Sequence, residues 1–527
     1  MVFHRIHRIE RNRCALDTDG LKYAMVNSTD VHPGVLETRA DPPVARRPRI
    51  TVPASLGRVA GITGSLVGTQ ALTSVLGLIF WTLAARTFVE SEVGVAGAAV
   101  ALMMLLGTLG SLGLGTLLIS RLPLTPPGQR RLLVRTCLAA AGLTTGLLAL
   151  VVPLVAVHVF GAQNLAPLVD TPAALAGLVL GTALFSTTLV LDQAVLTIGV
   201  GSLQLERNIA ASAIKIVALL VLSAAGAGAG MSIFLAWTIG SLLSLPLVSW
   251  RTGGGRRPGA AVADRRLIAP RLLTGLGREA LSHHALNITV QAALQILPTL
   301  VTVLLTAQDN AYFNSAVLLS GFVFALPYAI TIGLFAAAGG DERQTLERMR
   351  VTIPVGLAVS LAANLVLFPF AGVALSLFGS AYADEGADIL RALVLAGLPF
   401  VIKDHYVALR RVQNRTSSAV AVLSGFLMIE LAAAATGASV AGTVGMCLAW
   451  VAVLFVEAVV LAVPLRRDWI RIRDGARGDR PPTRRRGAHR WTAPAAGQTH
   501  RDVASVVAAA GFDLGRPTGA RRSSGRR

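Results

Sequence analysis

Apolar residues in this chain arrive in a dozen blocks of about 20–28 residues, separated by short polar loops, and a block of that length can cross a hydrocarbon core of roughly 30 Å. One such block would fit a signal or an anchor. Twelve predict a bundle in which each backbone amide is satisfied within its own helix. Composition agrees: 53% of the 527 residues are hydrophobic and only 14% are charged, against about a quarter charged in a soluble chain. The spans read as 62–85, 93–120, 132–158, 173–199, 210–228, 230–250, 280–305, 310–336, 351–378, 386–409, 417–437 and 439–464. The expected fold class is an all-α membrane protein of about twelve transmembrane helices.

The loops orient the bundle. With the N-terminus inside, the even-numbered loops collect the arginines. The second holds Arg121, Arg130 and Arg131, with Arg135 at the next helix entry. The fourth holds Arg207. The sixth carries a run from Arg251 to Arg278. Arg343, Arg348 and Arg350 fall in the eighth, and Arg410, Arg411 and Arg415 in the tenth. The odd-numbered loops collect acids instead, among them Glu90, Glu92, Asp170, Asp309, Asp384 and Glu385. Positively charged loops stay in the cytoplasm, so both termini are expected there, in the plasma membrane of a bacterium. The net charge of +20 is topogenic arginine plus basic tails, not a nucleic-acid-binding face.

Other classes find little support. Cys14, Cys137 and Cys447 form no CxxC and no Cys/His cluster of zinc spacing, so no disulfide framework and no metal site are expected. Gly253-Gly254-Gly255-Arg256-Arg257 lacks the Gly-Lys-Ser/Thr ending of a P-loop. No cofactor and no catalytic residue are expected. Residues 1–57 show no apolar centre of a signal peptide; translation could begin at Met1 or Met25.

The longest internal loop divides the chain. The expected organisation is a disordered cytoplasmic tail over 1–57, a six-helix bundle over 58–250, and a cytoplasmic linker over 251–279. A second six-helix bundle follows over 280–465, then an Arg-rich disordered tail over 466–527. An even number of helices per half makes the halves parallel repeats, a transporter plan with the substrate path between them.

The segment from Phe80-Trp81 through Ala85-Arg86, Glu90-Ser91-Glu92, Gly94, Leu112-Gly113-Leu114-Gly115 and Ser120-Arg121 resembles the polysaccharide flippases of the multidrug/oligosaccharidyl-lipid/polysaccharide exporter superfamily, the Wzx-like branch. Their opening pattern is an Ala-Arg pair, an acidic turn, a Gly, and a Gly-rich second helix ending in Arg. Ala311-Tyr312-Phe313 and Ala325-Leu326-Pro327-Tyr328 are similar to the family's eighth helix. The likeness covers about residues 60–465. It implies two six-helix bundles around a central cleft faced by the first and seventh helices. The first span holds no acid, so the aspartate that cation-coupled drug exporters of the superfamily use there has no match. Ser91 is positioned to cap the second helix, with Glu90 and Glu92 at its positive end.

Ionisable groups at membrane depth are costly and are functional candidates. Lys215 lies inside the fifth span, either snorkelling or meeting a lipid diphosphate. Glu430 sits near the middle of the eleventh without an obvious local partner, and Asp192 lies deep in the fourth; both are coupling-ion candidates or buried hydrogen-bonding groups. Lys403, Asp404 and His405 read as an ion pair and an interfacial anchor. His284, Asn287, Gln291 and Gln295 share one face of the seventh span. Thr63, Gln70 and Ser74 are their counterpart in the first. These stripes either line the cavity or bond neighbouring helices.

The expected function is a transporter, not an enzyme, that flips a polyprenyl-diphosphate oligosaccharide for cell-surface polysaccharide synthesis. Its cavity candidates are Gln70, Ser74, Arg135, Lys215, His284, Asn287, Gln291 and Gln295. Expected partners are the lipid-linked glycan, membrane lipids and other polysaccharide-assembly proteins, and no nucleic acid. The alternatives are a cation-coupled small-molecule antiporter, which needs an intramembrane acid, and a membrane glycosyltransferase or polymerase, for which the external loops are short.

Overall fold

The computed structural model describes residues 72–478, except 198–200, 227–228, 254–267, 274–277 and 339–340. All regular structure among them is helical. The first half comprises α1 (Leu72–Thr87), α2 (Glu90–Gly110), α3 (Pro127–His158), α4 (Pro172–Thr197), α5 (Gly201–Ala224) and α6 (Ala229–Gly253). The second comprises α7 (Arg278–Leu304), α8 (Ala307–Ala338), α9 (Glu342–Leu367), α10 (Ser380–Val394), α11 (Gly397–Val412) and α12 (Thr416–Gly478).

Nine helices among the described residues are long and apolar enough to cross a membrane. Three further features bring the crossings to twelve. Helix α1 is a shorter apolar helix. Helices α10 and α11 make one kinked crossing, because Pro399 has no N–H to continue the helical ladder and the joint closes with the tighter bonds Ala396 N→Leu393 O and Leu398 N→Leu395 O. Helix α12 folds back at Ala441–Gly442. Gly442 has φ +59°, which only glycine adopts without strain, so the Gly-rich sequence there turns two crossings into a hairpin. The protein is thus an all-α, multi-pass membrane protein with two six-helix bundles around a cleft.

Several local expectations need correction. The second span is not one helix over 93–120. Helix α2 ends at Gly110, and a left-handed turn at Leu112 and Gly113 leads into a short helix, Leu114–Arg121. Ser91 does not cap α2: the helix begins at Glu90 with Val89 as its N-cap and no side-chain cap, which places Ser91 inside the first turn. Glu90 and Glu92 do occupy that turn, where the helix dipole favours them. Arg207 is not a loop residue, because α5 starts at Gly201. The last helix runs to Gly478, so 466–478 is helical where a disordered tail is expected. The expected tail 1–57 and most of the linker lie outside the described residues; from the linker, the Ala269 N–H donates to Thr136 Oγ1 on α3 at 3.0 Å.

The two halves meet along α2 and α8. Helix α2 packs on α3, α4 and α6 of its own half and on α7 and α8 of the other; α8 packs on α7, α9, α10 and α11 and on α2. At the arginine-poor end three side chains clamp the halves together. Asn310 donates to Gly94 O at 2.7 Å. Arg86 donates to Leu377 O at 2.7 Å and Ser376 O at 3.2 Å. Asn164 donates to Thr302 O at 2.9 Å and Leu305 O at 3.0 Å. One hydrophobic core runs through both halves, with Phe80, Leu297, Phe313, Tyr382 and Trp450 all buried in it.

Candidate functional site

A cavity of about 490 Å³ lies between the halves, walled mainly by the first. Helices α1, α2, α4, α5 and α6 supply most of its lining, and α7 and α8 close the far side. Its wall mixes apolar and polar groups. Trp81 and Trp237 give large aromatic faces; Ser74, Thr188, Asn208, Ser212 and Gln295 give hydroxyls and amides. That pattern of apolar walls and few convergent polar groups is typical of small-ligand sites.

Two cations mark the α5 wall. Arg207 and Lys215 both line the cavity. They are eight residues apart, two i,i+4 steps along one helical face, hence about 12 Å along the axis. Lys215 is the deeper, toward the arginine-poor end. Its ammonium lies 3.8 Å from the Trp237 ring centroid and 5.9 Å from that of Phe80. Phe80 meets Trp81 and Trp237 edge-on, which fixes this aromatic box. Among the described residues, no hydrogen bond or ion pair reaches the ammonium and no carboxylate acts on it. Ring faces stabilise a desolvated cation by about 2 kcal/mol, so the lysine is held with its charge uncompensated. Gly240 on α6 is required here, because a Cβ would lie 2.8 Å from Lys215 Cβ and 2.6 Å from Ala211 O.

The shallower cation is already occupied. Arg207 Nε donates to Asp192 Oδ1 at 2.8 Å and Arg207 Nη2 to Asp192 Oδ2 at 2.6 Å. The guanidinium also donates to Ser244 Oγ at 3.2 Å and Asn208 Oδ1 at 2.7 Å. Both partners are buried. This planar, bidentate pairing uses Asp192 fully, so the coupling-ion candidate of the first half is a salt-bridged carboxylate.

The other candidates separate. Ser74 and Gln295 line the cavity with Lys215. Gln70 lies outside the described residues. Arg135 is exposed on α3 and absent from the cavity wall. The α7 stripe is one helical face but has different neighbours at each depth. His284 is buried where α7 packs on α2, and among the described residues its Nε2 meets no hydrogen-bond partner. Asn287 accepts from Arg411 Nη2 at 2.6 Å. Gln291 is exposed, and only Gln295 reaches the cavity. Sequence reasoning missed Arg207, Asn208 and Trp237. The eight-residue spacing of Arg207 and Lys215 was the available signal, hidden by starting the fifth span at 210.

Glu430, without an obvious local partner in the sequence, has two distant ones. Lys403 Nζ donates to Glu430 Oε1 at 3.1 Å and to Glu457 Oε2 at 3.0 Å, and Trp450 Nε1 donates to Glu430 Oε2 at 2.8 Å. Lys403 therefore pairs across to both limbs of α12, not with its neighbour Asp404. His405 is likewise an interior group, held by Val401 O at 2.7 Å and Thr352 Oγ1 at 2.9 Å.

No family model matches the chain, and no curated protein matches it by sequence. Solved structures do. One is an inward-facing multidrug resistance MATE family transporter of the MOP superfamily, with TM-score 0.59 and 15% identity over 76% of this chain and 96% of that one. The outward-facing conformation of a MATE transporter of that superfamily gives 0.52 and 13%, over 79% and 96%. A MOP superfamily transporter from Pyrococcus furiosus, described as having a binding pocket of reverse polarity, gives 0.50 and 13%, over 79% and 95%. At these identities the likeness establishes the fold alone: this chain folds as those MATE transporters do.

Proposed function

We propose that this protein is a transporter that flips a polyprenyl-diphosphate oligosaccharide across the bacterial plasma membrane for cell-surface polysaccharide assembly. The carrying observation is Lys215, a cavity cation held by aromatic rings and left without a counter-ion among the described residues. An ammonium at membrane depth favours an anion as its missing partner. A lipid diphosphate supplies that anion, while its sugars can stack on Trp81 and Trp237 and bond the cavity's hydroxyls and amides. The polyprenyl tail stays in lipid. The headgroup enters from the Arg-rich end, which the arginine distribution assigns to the cytoplasm. Parting of the Gly94–Asn310, Arg86 and Asn164 clamps then releases it on the other side.

The antiporter reading has one observation in its favour: Asp192 is in the cavity wall. Its carboxylate is taken by Arg207, which leaves the cavity's free charge positive and unsuited to organic cations.

The test is reconstitution in proteoliposomes with a fluorescent polyprenyl-diphosphate oligosaccharide. Wild-type protein is expected to move the headgroup to the opposite leaflet, and Lys215→Ala to lose that activity while folding normally. Absence of flipping by wild type, with exchange of a cationic drug for protons or sodium instead, overturns the reading in favour of the antiporter.

A further inference from the structure

We propose that the second half holds one bound proton, shared between the Glu430 and Glu457 carboxyls and clamped by Lys403. The site is separate from the cavity, and none of its residues lines that space. The inference rests on counting charges and lone pairs, and it holds whatever the cavity carries.

The cluster joins three strands of chain: Lys403 from α11, and Glu430 and Glu457 from the two limbs of α12. Glu430 is 0% exposed, Glu457 1% and Lys403 4%. One ammonium faces two carboxyls, so with both acids ionised the cluster carries an uncompensated negative charge. A buried group in that position takes up a proton rather than remain charged.

The hydrogen bonds show where the proton belongs. Both Glu430 oxygens have donors, Lys403 and Trp450. Glu457 Oε2 accepts from Lys403. Glu457 Oε1 is buried and, among the described residues, meets no donor. Both carboxyls are held by the same ammonium, at 3.1 and 3.0 Å, so two ionised carboxylates would face each other across a single positive charge. A proton on Glu457 turns its orphan acceptor into a donor and removes the repulsion between two carboxylates that share one ammonium.

The surrounding charges do not supply the missing positive unit. Asp404, next along α11, lies in the fields of two cations, Lys403 and Arg411. Helices α7 and α10 also pack on α12; among the described residues they bring no charged group that acts on Lys403 or Glu457. Helix α12 forms its own hairpin, with Gly437 and Gly445 in close approach near the turn. The proton therefore sits where it ties that hairpin to α11.

Loss of the proton leaves like charges facing across the hairpin, so the second half loosens as pH rises. The sign follows from linkage: a carboxyl that keeps its proton longer when folded stabilises the fold at low pH and withdraws that contribution as pH rises through its release.

The experiment uses the full chain in nanodiscs. Infrared difference spectra across a pH titration between about pH 5 and pH 9 should show one buried protonated-carboxyl band in wild type. That band should vanish in Glu457→Gln and in Glu430→Gln. Over the same range the thermal midpoint of wild type should fall relative to Glu457→Gln, whose amide donates at every pH. Histidines titrate equally in both, so the difference isolates the pair. If Glu457→Gln fails to fold, the wild-type band and Glu430→Gln still decide. A band unchanged in either foldable variant, or parallel pH profiles, overturns the proposal. Restoration of the high-pH midpoint by sodium alone, with no band, overturns it as well, by making this a metal-cation site.

Discussion

The clamp at Gly94 yields a quantitative prediction. A Cβ added there would lie 2.5 Å from the Ala307 carbonyl carbon and closer still to its oxygen, with Ala311 N at 3.2 Å. Carbon atoms prefer about 3.5–4.0 Å, so Gly94→Ala must part α2 from α8 by about 1–1.5 Å at this end. The neighbours are backbone atoms and cannot turn aside. Separation stretches the 2.7 Å bond from Asn310 to Gly94 O, for a loss of about 1 kcal/mol. Lost packing of the buried Ala311 and Phe313 adds about 1–3 kcal/mol by analogy with disturbed cores. Alanine returns about 1 kcal/mol of helix propensity, leaving a net penalty of roughly 1–3 kcal/mol on the closed seam. Each 1.4 kcal/mol is tenfold in an equilibrium constant, so the ratio of closed to open seam should fall by about 5- to 150-fold. The assay is electron–electron resonance distance measurement between spin labels on the arginine-poor ends of α2 and α8. Gly94→Ala should populate a longer distance at the expense of the shorter. Gly97→Ala is the control, since a Cβ there meets Asn310 and Asn314 side chains at 3.4 Å, an ordinary contact. Identical distributions for wild type and Gly94→Ala, or an equal shift from Gly97→Ala, would refute the idea that this glycine permits the closed seam.

Three further outcomes follow from the buried charges. Arg207→Met should lower stability by about 3–5 kcal/mol by stranding Asp192, and adding Asp192→Leu should recover most of it; thermal unfolding of the single and double variants checks this. Lys403→Met should destabilise strongly at neutral pH and much less in acid, where both glutamates are neutral, read from the midpoint as a function of pH. Lys215→Ala should cost about 2 kcal/mol of stability at most and alter Trp237 fluorescence, whereas Lys215→Arg should keep part of the response to inorganic diphosphate added to wild type; titration followed by tryptophan emission separates the two.

Much of this protein was decided by sequence alone. Block length and hydropathy carry the helical membrane class and the twelve crossings, because each segment meets the bilayer's demands within itself. The break between the last two spans was legible, read at 437–439 where the turn falls at Ala441–Gly442. The break before the short helix at Gly113 was not, since an unbroken apolar run reads as one helix, and neither was the early start of α5, since a polar first turn reads as a loop until neighbouring helices cover it. Partnerships were beyond reach. Glu430 meets Lys403 27 residues back and Trp450 20 residues on, and Lys403 spans 54 residues to Glu457. Asp192 is closed off by Arg207, while Lys215, eight residues beyond that arginine, faces aromatic rings and, among the described residues, no counter-ion. Hydropathy marks these groups as costly; only the packing of helices distant in sequence determines which cost is met by a partner and which is not.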